Sequence, residues 1–123
     1  MAEFSVLAID DEQDFVTSLV RRLCKRGMKS EWALTGGEAI RKIADGDFAV
    51  ALLDMRLPDM YGSEVLREIL KIKPQTRVII LTGHASAREG EEGIRDGAFD
   101  YLIKPVEFET LWEKLQAAKM RSP

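Results

Sequence analysis

Five side chains of complementary chemistry stand at the ends of short apolar runs: the adjacent carboxylates Asp10 and Asp11, then Asp54, the hydroxyl of Thr82 and the ammonium of Lys104. Carboxylates brought together repel and raise one another's pKa unless a cation lies between them. Hard oxygen donors of this kind favour magnesium or manganese, and magnesium takes one or two carboxylates together with phosphate oxygens and water. A lysine facing the cluster pairs with an arriving anion, and a threonine hydroxyl donates to a phosphoryl oxygen. An aspartate in such a set can attack phosphorus and form an acyl phosphate. Positioning and charge neutralisation carry most of phosphoryl-transfer catalysis, and these residues supply both.

The elements that must bring them together are legible in the hydropathy pattern. Short apolar runs alternate with amphipathic stretches five times. Residues 4–9 form an apolar segment that ends in Asp10, Asp11 and Glu12, and Phe15, Val16, Leu19, Val20 and Leu23 then recur at helical spacing up to Gly27, a left-handed stop. Residues 32–34 read as a weak strand, and Thr35 and Glu38 have capping-box spacing ahead of Ala39, Ile40 and Ile43. The clearest buried strand, residues 48–53, runs straight into Asp54. Pro58 and Gly62 punctuate the loop after it, and Val65, Leu66, Ile69 and Leu70 mark a helix closed by Pro74. Residues 78–81 are another continuous apolar run, ending at Thr82 and Gly83. Ser86 and Glu89 repeat the capping spacing before a helix that stops near Gly97. Residues 101–103 form the last strand, ending at Lys104 and Pro105, and Phe108, Leu111, Trp112 and Leu115 line a final helix.

Strands that are apolar without alternation are buried on both faces, the mark of a parallel sheet with helices on either side. Right-handed crossovers put every strand's carboxyl end on one edge, and ligands bind outside that edge at the topological switch point. All five chemistry-bearing residues fall there. The fold expected is an α/β, doubly wound, five-stranded parallel (βα)5 sheet of flavodoxin-like type, forming one domain over residues 1–123.

Composition narrows the function further. A net charge of −3 offers no basic face for nucleic acid. No apolar run is long enough to cross a bilayer and no basic-then-apolar leader follows Met1, so a cytoplasmic location with no membrane contact is expected. The single cysteine, Cys24, is expected to be a small buried helix residue without redox or metal chemistry. The loop Asp10-Asp11-Glu12-Gln13-Asp14 would repel a bare phosphate and attract a metal, which sets a nucleotide or flavin site aside.

The stretches Ile9-Asp10-Asp11-Glu12, Leu53-Asp54-Met55-Arg56-Leu57-Pro58-Asp59-Met60, Leu81-Thr82-Gly83 and Tyr101-Leu102-Ile103-Lys104-Pro105 resemble, in order and over the whole chain, the motifs of bacterial two-component response-regulator receiver domains. Singly such motifs are weak; four together, each at a strand end, are specific. The resemblance implies a signalling domain that catalyses only its own phosphorylation and dephosphorylation, with magnesium as cofactor and a sensor histidine kinase as donor. On this likeness Asp54 is the phosphoacceptor, and Asp10, Asp11, Asp54 and the backbone carbonyl of Arg56 hold the metal. Thr82 and Lys104 contact the phosphoryl group, and Tyr101 is the aromatic switch on the output face. Arg56 and His84 occupy positions that tune phosphoryl lifetime, Gly62 matches a loop glycine, and the peptide before Pro105 is expected to be cis. Residues 82–95 are similar to receivers fused to NtrC-like AAA+ transcription activators, which implies an output domain, fused or separate, and a homodimer formed on phosphorylation.

Several residues have a plainer reading beside this one. Asp10, Asp11, Glu12 or Asp14 could cap the first helix, and which of Asp10 and Asp11 binds a metal directly is open. Tyr101 could be a packed edge residue and His84 a rim histidine. Trp32 and Trp112 read as packing residues, and Glu89, Glu91 and Glu92 as a solvated helix face. Two other functions compete: a magnesium-dependent phosphatase of small molecules, told apart by ester turnover, and a phosphorylation-independent interaction module, in which part of the acid, threonine and lysine set would be lost.

Overall fold

The computed structural model describes residues 4–83 and 87–120. Strands and helices alternate along them: β1 (Ser5–Ile9), α1 (Gln13–Lys25), β2 (Lys29–Ala33), α2 (Gly36–Asp45), β3 (Val50–Asp54), α3 (Gly62–Ile72), β4 (Arg77–Thr82), α4 (Ala87–Arg95), β5 (Asp100–Ile103) and α5 (Phe108–Met120). The five strands pair in parallel in the order β2-β1-β3-β4-β5. This is the doubly wound sheet expected from the uninterrupted apolar runs. The chain reverses direction across the sheet between β1 and β3, so the crevice of the fold opens beyond the carboxyl ends of those two strands.

The sheet is buried because helices cover both faces. On one side Val6, Ala8, Val50 and Leu52 pack with Val16, Leu19 and Leu23 of α1 and Leu111 and Leu115 of α5. On the other, Leu7, Ile9, Ala51 and Leu53 meet Ala39 and Ile43 of α2 and Val65, Leu66 and Ile69 of α3. Successive residues of β1 and β3 therefore serve opposite cores, which is why neither strand alternates with polar residues.

Helix ends follow local chemistry. Gly27, the expected left-handed stop after α1, has φ of +84°, and Gly97, near which α4 was expected to stop, has φ of +111°. The Thr35 hydroxyl accepts the Glu38 amide at 3.1 Å, but the Glu38 carboxylate reaches back to the Leu34 amide at 2.8 Å, one residue before the cap. The matching pair Ser86–Glu89 has its serine outside the described residues.

Three expectations need correction. The second strand begins at Lys29, not near Trp32, because it is an edge strand defined by its pairing with β1, from Ser5↔Lys29 to Ile9↔Ala33, rather than by apolar content. Trp32, expected to be a packing residue, is correspondingly exposed there. Cys24 is exposed rather than buried, since Leu23 closes the buried stripe of α1 and the next position turns away from the core; its thiol lies 3.8 Å from the Ser30 carbonyl. Trp112 does pack, stacked on Phe108 with ring centres 6.3 Å apart.

The helix α4 meets the sheet differently from the others. Its buried residues are Gly90 and Gly93, and a Cβ at either would overlap Tyr101 or Ile80. Backbone, not side chains, makes this contact.

Candidate functional site

The ends of four strands deliver the site. Asp10 follows β1, Asp54 ends β3, Thr82 ends β4 and Lys104 follows β5. Register aligns them: Asp54 lies opposite Leu81, beside Thr82, and Thr82 lies opposite Ile103, beside Lys104. The Lys104 amide donates to the Thr82 carbonyl at 2.7 Å, and the Lys104–Pro105 peptide is cis, as the resemblance implied.

Lys104 organises the acids. Its Nζ lies 2.6 Å from Asp10 Oδ2, 3.0 Å from Glu12 Oε1 and 3.7 Å from Asp54 Oδ2. Its Nζ also lies over the Phe15 ring, 4.9 Å from the ring centre. Burial alone would lower the lysine pKa, but the hydrogen bonds from Asp10 and Glu12 and the charges of Asp10 and Asp54 together raise it. The lysine is therefore a permanent cation here.

Asp10 is 1 % exposed, and both its oxygens are engaged, Oδ2 by Lys104 and Oδ1 by the Glu12 amide at 2.9 Å. It thus orders the turn into α1 from outside the helix, whose N-cap is Glu12 with no side-chain cap bond, and it faces the acidic cluster. Asp54 is 6 % exposed and accepts the Arg56 amide at 3.2 Å. Burial pushes its carboxyl up to about 6, with Asp10 and Asp11 adding to the rise while the Arg56 amide and Lys104 oppose it. A carboxyl raised in this way beside like charges in a crevice is a candidate functional group.

Oxygens of Asp10, Glu12 and Asp54 lie within 4.8 Å of one another. Three carboxylates against one ammonium leave a surplus of negative charge on hard oxygen donors, which fits a divalent cation of the magnesium type. Glu12 was not singled out as a site residue from sequence, where it read as a helix cap. The three consecutive acids were visible, but which of them meets Lys104 depends on the backbone turn that Asp10 closes on the Glu12 amide. Asp11 is exposed and outside this group of three, and reaches Asp54 through its charge.

The remaining expected residues lie around this centre. Thr82 is fully buried, and its hydroxyl donates to the Gly83 carbonyl at 3.3 Å. The Arg56 side chain is exposed, with Nη2 3.8 Å from Glu89 of α4. Gly62 starts α3 in contact with Met55, where a Cβ would overlap the backbone. Tyr101 is half-buried and packs on α4 over Gly90. His84 lies outside the described residues. A cavity of about 490 Å³ opens beside the cluster, lined by Glu12, Phe15, Gly83, Lys104, Pro105 and Val106. No helix among the described residues is long and apolar enough to cross a membrane.

Comparison with known proteins agrees with this geometry. Residues 6–116 match the family model of the response regulator receiver domain. The transcriptional regulatory protein ZraR of Klebsiella oxytoca is 34 % identical over 116 residues, covering 94 % of this chain and 26 % of that protein. A response regulator receiver domain protein from Clostridium thermocellum superposes with a TM-score of 0.90 at 33 % identity, covering 96 % of this chain and 95 % of that one. A Burkholderia pseudomallei response regulator, solved with a phosphorylated aspartic acid, a calcium ion and citrate, superposes with a TM-score of 0.84 at 27 % identity, covering 98 % of this chain and 76 % of that one. With the fold, the acidic crevice and the family match in agreement, the chain belongs to the response-regulator receiver domain family.

Proposed function

We propose that residues 1–123 act as one receiver unit in which Asp54 accepts a phosphoryl group from a sensor histidine kinase in the cytoplasm. The observation that carries this is the Lys104 ammonium, 3.7 Å from the Asp54 carboxylate and bonded to the flanking acids Asp10 and Glu12. A carboxylate oxygen of Asp54 attacks the phosphorus of a donor phosphohistidine in line. The new P–O bond forms as the P–N bond breaks, and the donor imidazole leaves. Lys104 exchanges its carboxylate partners for the phosphoryl oxygens, and Thr82 donates its hydroxyl to another.

Asp10, Asp11, Asp54 and the Arg56 carbonyl would hold magnesium or manganese, with Glu12 as a further acid within reach, and the ion would supply charge neutralisation at the transferring group. Once Thr82 is drawn toward the phosphoryl group, Tyr101 turns inward and biases the surface formed by α4, β5 and α5. Hydrolysis of the acyl phosphate resets the domain, with Arg56 and His84 tuning its lifetime. The chain spans 26 % of the ZraR sequence it matches, which supports an output domain in the same polypeptide or in a partner. A phosphorylation-dependent homodimer would be its switch.

The test is intact mass after incubation with acetyl phosphate and magnesium, against Asp54→Asn and EDTA controls. One phosphoryl adduct, absent from both controls, is expected. No adduct, together with no beryllofluoride binding, would leave a phosphorylation-independent interaction module.

A further inference from the structure

The loop between β3 and α3 reaches across to a helix that takes no part in the acidic cluster. Asp59 Oδ1 accepts the Gly36 amide at 2.8 Å, and its Oδ2 accepts the Gly37 amide at 2.9 Å. These are the first two amides of α2, which no helical carbonyl can satisfy. Thr35 meets the next one, that of Glu38, at 3.1 Å. The start of α2 is therefore completed by a carboxylate from another part of the chain, favourably placed against the positive end of the helix dipole. The Gly37 and Gly36 amides hold the Asp59 carboxyl below its usual range. The next residue reinforces the contact, since a Cβ on Gly36 would come within 2.8 Å of Met60 Sδ.

The near side of this loop belongs to the acceptor site. Arg56 donates its amide to Asp54 and pairs with Tyr61 in an antiparallel bridge, and the Gly62 amide donates to the Met55 carbonyl at 3.0 Å. Residues 55–62 thus form a closed loop with Asp54 at its foot and Asp59 toward its tip. A loop tied across its base moves as a unit, so anchoring the tip restrains the base.

We propose that Asp59 is a positioning residue for the acceptor site: by docking the loop on the start of α2, it holds the Arg56 backbone where its carbonyl can complete the metal site. This rests on the phosphoacceptor reading above. A purely stabilising cap would be the plainer role, and Thr35→Ala separates the two, because it weakens the same helix start without touching the loop.

The experiment is calorimetric titration of the full chain with Mg2+, with thermal melts, for the unsubstituted protein, Asp59→Ala, Asp59→Asn and Thr35→Ala. Both alanine variants should melt earlier. Asp59→Ala alone should bind Mg2+ about tenfold more weakly, the low end of what losing an outer-shell partner costs a metal site. Its phosphorylation by acetyl phosphate should slow in parallel. Asp59→Asn keeps one acceptor oxygen and should fall between; if Asp59→Ala does not fold, unchanged Mg2+ affinity in Asp59→Asn overturns the proposal. Equal affinity in Asp59→Ala and the unsubstituted protein overturns it too, as does an equal loss in Thr35→Ala. Absence of Mg2+ binding by the unsubstituted protein would instead remove the phosphoacceptor reading, and this proposal with it.

Discussion

The Asp54 carboxyl is buried beside the Asp10 carboxylate, and the consequence for stability has a definite sign. Its pKa rises from 3.8 to about 6, mainly through burial. The folded state therefore keeps this proton over a range in which the unfolded chain has already lost it. The stability associated with the protonated group is complete below about 3.8 and is lost as pH rises through about 6. That gap corresponds to roughly 3 kcal/mol at the top of the window. Asp54→Asn removes the charge while keeping the shape, so it should stabilise the domain by about 1–3 kcal/mol at pH 8 and by little at pH 4. Urea melts of both proteins at the two pH values would measure this, and an equal effect at both would remove burial of the charge as the cause. Magnesium should act on the unsubstituted protein in the same direction at pH 8, because a bound cation stabilises only the folded state. EDTA should reverse that gain, and Asp54→Asn should show less of it.

Among the elements, α4 is held most economically. Two glycines among its nine residues lower its intrinsic helicity by about 1 kcal/mol each relative to alanine. Yet a Cβ at Gly90 would overlap the Tyr101 ring. Gly90→Ala should thus cost about 1–2 kcal/mol net, overpacking outweighing the helical gain. In a Tyr101→Ala background the overlap is gone, and the same change should stabilise by up to about 1 kcal/mol. Urea midpoints of the four proteins in this double-mutant cycle would test it, and additive effects would mean that α4 and Tyr101 are not in contact. The contrast with the other elements explains what the sequence could and could not reveal. Strands β1, β3 and β4 announced themselves as apolar runs because each is covered on both faces, and the residues ending them needed only strand direction to converge. Edge strand β2 carries Lys29, Glu31 and Trp32 on its exposed surface, so its start was set by pairing with β1. Tertiary contacts that join distant segments left no local signal: Asp59 on the amides of Gly36 and Gly37, and Glu12 on Lys104, depend on how loops cross the crevice.

At the scale of the whole molecule, the proposed switch must carry a change from the crevice to a surface formed by different elements. Thr82 is placed for this, fully buried at the end of β4, with β5 alongside and Lys104 bonded to its carbonyl. The receiving surface has exposed apolar side chains, Ile94 on α4 at 43 % and Ile103 on β5 at 39 %, which a second copy could cover once α4 and β5 are reset. Binding that favours one of two states shifts the population only by its differential free energy, so the link through Thr82 has to distinguish those states. Thr82→Ala removes the hydroxyl but none of the acids, and leaves Lys104 in place. The variant should therefore still take a phosphoryl group on Asp54 from acetyl phosphate, with its rate within about tenfold of the unsubstituted protein, since general positioning and charge are retained. Its response should be lost. Sedimentation with magnesium and beryllofluoride should show the unsubstituted domain shifting toward a dimer and Thr82→Ala remaining a monomer at the same concentration. A dimer from both would mean that the surface responds to charge at Asp54 by a route that bypasses Thr82. The Arg56–Glu89 ion pair, which joins the acceptor loop directly to α4, would then be the next connection to cut.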